Sequence, residues 1–238
     1  MRGILIAFTI LTFWFISLSF GLSSVNLNRP QDVLSYLWLV LVIQFLYVGL
    51  FITVHDACHG SVAIGKPKVN LWIGRLFGFL YAGLSFDRIK FKHQHHHQFS
   101  GTDKDPDFHP SGYSFFFFWL LRFFKNYITI YQLIIMFGTA HILINILRIN
   151  EINVYAFWVV PSVLSSLQLF YFGTYLPHRA IKNAPFTDQH RTRNFSVSYF
   201  FSLISCYHFG AFHHVHHTAP AVPWFKLPDN TKVSTNHL

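Results

Sequence analysis

VLSYLWLVLVIQFLYVGLFITVHDACH, residues 33–59, decides the fold. An apolar run from about Val33 to Val54 ends directly in His55, with His59 four residues further on. A run of about 20 apolar residues is the length that crosses a bilayer as a helix. Residues four apart share one helix face, so both imidazoles point the same way at the end of that helix. Two further clusters follow, HQHHH at 93–97 and HHVHH at 213–217, each just behind an apolar stretch.

The chain has 238 residues and is 52% hydrophobic and 11% charged, against roughly 25% charged in soluble domains. That deficit indicates lipid as the surroundings. The net charge of +9 is not the footprint of a nucleic-acid binder, because no basic face recurs along a soluble module. Cys58 and Cys206 cannot build a disulfide framework and read as small buried fillers.

Working outward, a first apolar segment runs from about Ile4 to Phe20 and is expected to be a retained helix rather than a cleaved signal. Leu71–Phe86 is interrupted by Gly74, Arg75, Gly78 and Gly83 and is expected to be re-entrant or interfacial. Phe115–Phe124 is short, aromatic and interfacial. About Ile128–Leu147 is a third crossing, and about Ile152–Leu176 a fourth, kinked at Pro161. Val197–Phe209 is a short apolar lead into the last cluster, and the tail from Asp229 is polar. The expectation is a single membrane-embedded domain over residues 1–238. It is an all-α membrane protein with about four transmembrane helices plus interfacial or re-entrant helices. Of the 18 lysines and arginines, only Arg29 and Arg148 fall in the turns on one side. The positive-inside rule then puts the large loops and all three histidine clusters on the cytoplasmic face of the inner membrane.

His55 and His59 form H-x-x-x-H; His93, His96 and His97 form H-x-x-H-H, as do His213, His216 and His217. In H-x-x-H-H one imidazole points about 100° away from the other two. The donors exceed the four to six that one ion takes, so the pattern points to a pair of metal ions. All-imidazole ligation suits Zn, Cu, Fe or Ni. A site facing a bilayer favours a lipid-soluble substrate and a redox metal. Asp56, Asp103, Asp105 and Asp107 are placed to accept the outer N–H of ligating imidazoles. His141, mid-helix, is expected to bond a neighbouring helix, and His95 and His109 to be solvated. The aromatic runs at 115–118 and 170–172 read as lipid-facing filler before tunnel lining.

The three-cluster pattern resembles the membrane fatty-acid desaturase and hydroxylase superfamily. Within it, H-D-A-C-H-G-S (55–61), N-L-W-I-G-R-L-F-G-F-L-Y-A-G (70–83), G-T-D-K-D-P-D-F-H (101–109), L-F-Y-F-G-T-Y-L-P-H-R (169–179), C-Y-H-F-G-A-F-H-H-V-H-H (206–217) and P-W-F-K-L-P (223–228) are similar to the bacterial β-carotene 4-ketolases. The resemblance implies two iron ions, O2, an electron donor such as ferredoxin, and oxidation of C4 of the β-ionone ring of β-carotene or a related carotenoid. It also adds His178 as a ninth ligand, with His190, His208 and His214 as weaker candidates. The chain departs from that pattern at Cys58 (usually Met), at Gln98-Phe99-Ser100 (usually R-H-P) and at Val215 (usually Glu), which touches no H-x-x-H-H ligand. A carotenoid hydroxylase, an acyl-lipid desaturase and a non-catalytic metal-binding membrane protein are the alternatives.

Overall fold

A computed structural model describes residues 1–27, 30–109, 115–181 and 184–233; Arg29 and Gly112, which the topology and the second loop invoke, lie outside the described residues. Every regular element described is helical. The helices are α1 (Arg2–Ser23), α2 (Leu37–Cys58), α3 (Pro67–Ala82), α4 (Phe86–Phe99), α5 (Phe116–Tyr127), α6 (Ile130–Ile146), α7 (Glu151–His178), α8 (Tyr199–Cys206) and α9 (His213–Thr218). A short helix, Pro30–Ser35, precedes α2.

Helices α1, α2 and α7 are long and apolar enough to cross a membrane, and up to five spans result if two bent pairs each count as one. The chain is thus built as an integral membrane protein. α2 is apolar on every face, as a central helix must be. In its most apolar stretch 56% of residues are buried, against 22% in α1. Ile43, Tyr47, Val48, Leu50 and Val54 are all 0% exposed. α2 is therefore the axle, with α1, α3 and α7 packed around it, and its last turn presents His55.

Around this axle the other helices are turned by local chemistry. Pro67 starts α3, where a missing N–H costs nothing. Gly83, at φ +62, ends it in the left-handed conformation, with its N–H on the Phe79 carbonyl and that of Leu84 on Gly78. Ser85 caps α4, and the chain leaves at 100° to α3. Of the glycines expected to interrupt this stretch, Gly83 does and Gly74 and Gly78 do not. Gly74 receives the Phe86 ring and Gly78 faces Leu84, so both are close-approach sites in an unbroken helix. The pair is a bent or re-entrant element, as the interruptions suggested, but its corner is at Gly83.

The expected third crossing is shorter than read. α6 is 12 residues of α-helix and 5 of π-helix, below the roughly 20 a lone span needs, and it meets α5 at 85°. His141 is a correction as well. Its Nδ1 pairs with Asn145 Nδ2 at 3.1 Å, one turn along the same exposed helix, not with a neighbour. α7 stays one continuous helix through Pro161, because the π-turn Tyr155–Val159 just ahead of it absorbs the missing N–H. α8 is held from inside the bilayer. Gln168 Nε2 donates to the Ile204 and Ser205 carbonyls at 2.8 and 2.7 Å, and Gln44 Nε2 donates to Gln168 Oε1 at 2.7 Å. Tyr207 and His208, both at positive φ (46° and 69°), then reverse the chain into α9.

Candidate metal centre

Four helix ends converge. α2 brings His55 with His59 at its C-cap, α4 brings His93, His96 and His97, α7 ends on His178, and α9 brings His213, His216 and His217. Their ring nitrogens fall into two groups, each within 4.8 Å: His55, His59, His93, His97 and His216, and His96, His178, His213 and His217. Helical periodicity sorts them. His93 and His97, four apart, face the first group while His96 turns into the second. On α9 the split is reversed, with His213 and His217 in the second group and His216 in the first.

Within each group Nε2 faces Nε2. His59–His93 is 2.7 Å, His93–His97 3.1 Å and His97–His216 3.0 Å in the first. In the second, His178–His213 is 2.9 Å, and His217 lies 3.2 Å from both His96 and His213. With metal–nitrogen bonds of about 2.1 Å, donor atoms on one ion stand about 3.0–3.4 Å apart, close to these distances of 2.7 to 3.2 Å. Neutral imidazole has a single N–H, so rings set Nε2 to Nε2 in this number cannot all satisfy one another. The donor set fits a metal in both groups.

Electrostatics agree. On α9, burial first, then neighbouring imidazoles, hold His213, His216 and His217 well below the usual 6.5, so all three are neutral donors. α4, whose first two turns carry Arg88, Lys90 and Lys92, lies outside the spanning segments. There His96 behaves oppositely: burial pulls it down, but Asp105 and Asp107 outweigh that and lift it to about 9.

The aspartates divide. Asp105 Oδ1 sits 2.9 Å from His96 Nδ1, while its Oδ2 accepts the Gly101 N–H at 2.8 Å. Asp107 lies 3.7 Å from His96 Nδ1 and accepts the Tyr127 hydroxyl. Asp56 reaches only 3.8 Å from His55 and accepts the Trp224 N–H at 3.2 Å. Asp103 is exposed and joins no histidine. His190, His208 and His214 stay outside both groups. His214 pairs with Thr192 Oγ1 at 2.9 Å, and His208 with Ser202 Oγ at 2.9 Å. His95 is half-buried between the rings of Phe91 and Phe99 rather than solvated, and His109 is half-buried too. Both cysteines are free, buried and outside either group. Sequence reasoning missed Asn194, whose Oδ1 accepts the first N–H groups of α9 (His214 and Val215), and the Arg191 carbonyl, 3.1 Å from His178 Nδ1.

A largely apolar cavity of about 460 Å³ lies against the histidines, with His55, His93, His96 and His213 in its wall. Its wall also includes Phe51 and Ile52 of α2 and Val163 and Leu169 of α7, so two of the membrane-spanning helices line it. Of the aromatic runs, Phe117 and Phe118 are exposed, whereas Phe116 packs on the buried Phe170; the cavity's rings come instead from Phe51, Tyr81, Phe123, Phe124, Tyr127 and Phe209.

Bent and spanning helices that gather histidines at one end define a class of membrane oxidoreductases, and the comparison with known sequences agrees. The fatty acid desaturase family matches residues 33–143 and 124–236, and the chain belongs to that family. Among its relatives, β-carotene ketolases of two Paracoccus strains are 42% and 41% identical over 78% and 80% of this chain and 75% and 76% of their own lengths. A zeaxanthin 4-ketolase of Chlamydomonas reinhardtii is 33% identical over 96% of this chain and 53% of its own length.

Proposed function

We propose that this protein is a carotenoid ketolase that oxidises C4 of the β-ionone ring of β-carotene, or a related carotenoid, to a ketone. The observation that carries the reading is the two histidine groups, both of which contribute to the wall of one largely apolar cavity. The identity to named β-carotene ketolases supports the substrate. Each hydroxylation consumes O2, two electrons and two protons; one oxygen atom enters the C–H bond and the other leaves as water. A second hydroxylation at the same carbon gives a geminal diol, and loss of water leaves the ketone. Oxidation of this allylic ring C–H bond is the chemistry a redox-metal pair would supply when bound, and iron is the assignment. His55, His59, His93, His97 and His216 would hold one ion and His96, His178, His213 and His217 the other. Asp105 orients His96, with Asp107 behind it. The apolar cavity walls hold the ring and keep water from the reacting carbon. Electrons come from an external carrier such as ferredoxin. The excess of lysine and arginine around the histidine side supports a site on the cytoplasmic face of the inner membrane.

Expression in bacteria that accumulate β-carotene tests this. Red keto-products such as echinenone and canthaxanthin are expected. Yellow hydroxylated pigment would favour a hydroxylase, a changed acyl-chain profile a desaturase, and unchanged pigment with metal bound a non-catalytic protein.

A further inference from the structure

Two imidazoles of the buried four-histidine group have their outer nitrogens tied down. His96 has Asp105. His178 has no carboxylate; its Nδ1 lies 3.1 Å from the Arg191 carbonyl while its Nε2 lies 2.9 Å from His213 Nε2. A carbonyl only accepts. The contact therefore places the proton on Nδ1 and turns the Nε2 lone pair into the group. The carbonyl comes from a backbone that needs holding. Arg191 sits at φ +47, a left-handed conformation that is strained for a residue carrying a side chain. Such strain persists only where surrounding contacts impose it.

Those contacts come from the two residues behind the second histidine cluster. Ser100 Oγ donates to the His190 carbonyl at 2.5 Å and lies 3.4 Å from His178 Nδ1. Arg191 Nη1 donates to the Gly101 carbonyl at 2.6 Å, and the Arg191 side chain lies where a Cβ on Gly101 would stand. Gly101 N–H in turn binds Asp105, the partner of His96. One short stretch, 100–105, thus braces both oriented imidazoles. Ser100 is also a position at which the chain departs from the motif it otherwise resembles, where the usual proline has no hydroxyl to donate.

We infer that Ser100 and Arg191 are positioning residues that fix the tautomer and aim of His178, and so set the metal affinity of the buried four-histidine group. This rests on the reading that both histidine groups hold metal. Loss of a partner of this kind typically lowers metal affinity about 10- to 100-fold. The test is chelator competition on purified, detergent-solubilised protein loaded anaerobically with Fe(II), beside the melting temperature of the metal-free protein. Wild type is expected to bind two ions per chain. Ser100→Ala should weaken one of them at least about tenfold, leave the other unchanged and leave the metal-free melting temperature in place. Ser100→Thr, which keeps the hydroxyl, should restore affinity. Arg191→Gly suits the left-handed backbone and keeps the chain folded while removing the tie to Gly101; it should weaken the same ion. Wild-type affinities in both Ser100→Ala and Arg191→Gly overturn the inference. So does an affinity loss that tracks a lower metal-free melting temperature and that threonine does not repair. A wild type binding fewer than two ions would instead sink the two-group reading and this inference with it.

Discussion

At the scale of single residues, the candidate centre depends on where its imidazoles are aimed. His96→Ala or His216→Ala should abolish ketone formation while the protein still inserts, as product analysis beside a membrane-fraction blot would show; near-normal yield from either would refute the assignment. Asp105→Asn should reduce turnover and metal affinity about 10- to 100-fold, because it removes the carboxylate 2.9 Å from His96. The pH response has a definite sign. His213, His216 and His217 stay neutral in the fold but protonate near 6.5 once released. They therefore destabilise the metal-free protein as pH falls below 6.5. His96 acts the other way: its stabilisation is full below 6.5 and is lost as pH rises through about 9. His59, His93 and His97 are held down in the same way, while Asp107, raised to about 6 by burial, sides with His96. Six of these groups oppose two, so the metal-free melting temperature should drop on acidification from about pH 7.5 to about pH 5.5. The pairing of His93 with His97 and of His213 with His217 was legible in the sequence, since spacing on a helix fixes a common face. Asp105 and Asp107 could not be told from Asp103, because only the loop's path turns two of them inward. The Arg191 carbonyl left no trace at all, since any residue carries one.

At the scale of elements, apolar length was a good guide to α1, α2 and α7, and a poor one to the bent pairs. The glycines of α3 look alike in sequence but differ in the fold. Gly74 makes room for Phe86, while Gly83 alone holds the left-handed corner. Gly83→Val should therefore destabilise by about 1–2 kcal/mol, with added crowding from the Ile135 side chain about 3.1 Å from the new Cβ. A lowered melting temperature with lost metal is expected, since the corner aims α4 and its three ligand candidates. The polar clamp of Gln44 and Gln168 had no periodic signature, yet it ties α8 to the helices around it. Gln168→Leu strips both carbonyls at 204 and 205 of a donor and should cost about 1–2 kcal/mol. A melting curve indistinguishable from wild type would show that the clamp holds nothing.

For the whole molecule, sequence alone reached an all-α membrane protein with its histidines on one side. The expected crossings, about four, lie between the three unbroken spans and the five that result if each bent pair counts as one, because a pair bent by 85° or 100° contributes apolar length without fixing its depth. Sequence did not reach the cavity, whose walls come from helices far apart in the chain. The lining of that cavity by membrane-spanning helices, Ile52 of α2 and Val163 of α7 among them, has a kinetic corollary. A lipid-soluble pigment is drawn from a two-dimensional solution, so its effective concentration is its mole fraction among surrounding amphiphiles, not its molarity in the tube. Diluting pigment with detergent or lipid at fixed total pigment should slow the reaction in proportion, and adding buffer should not.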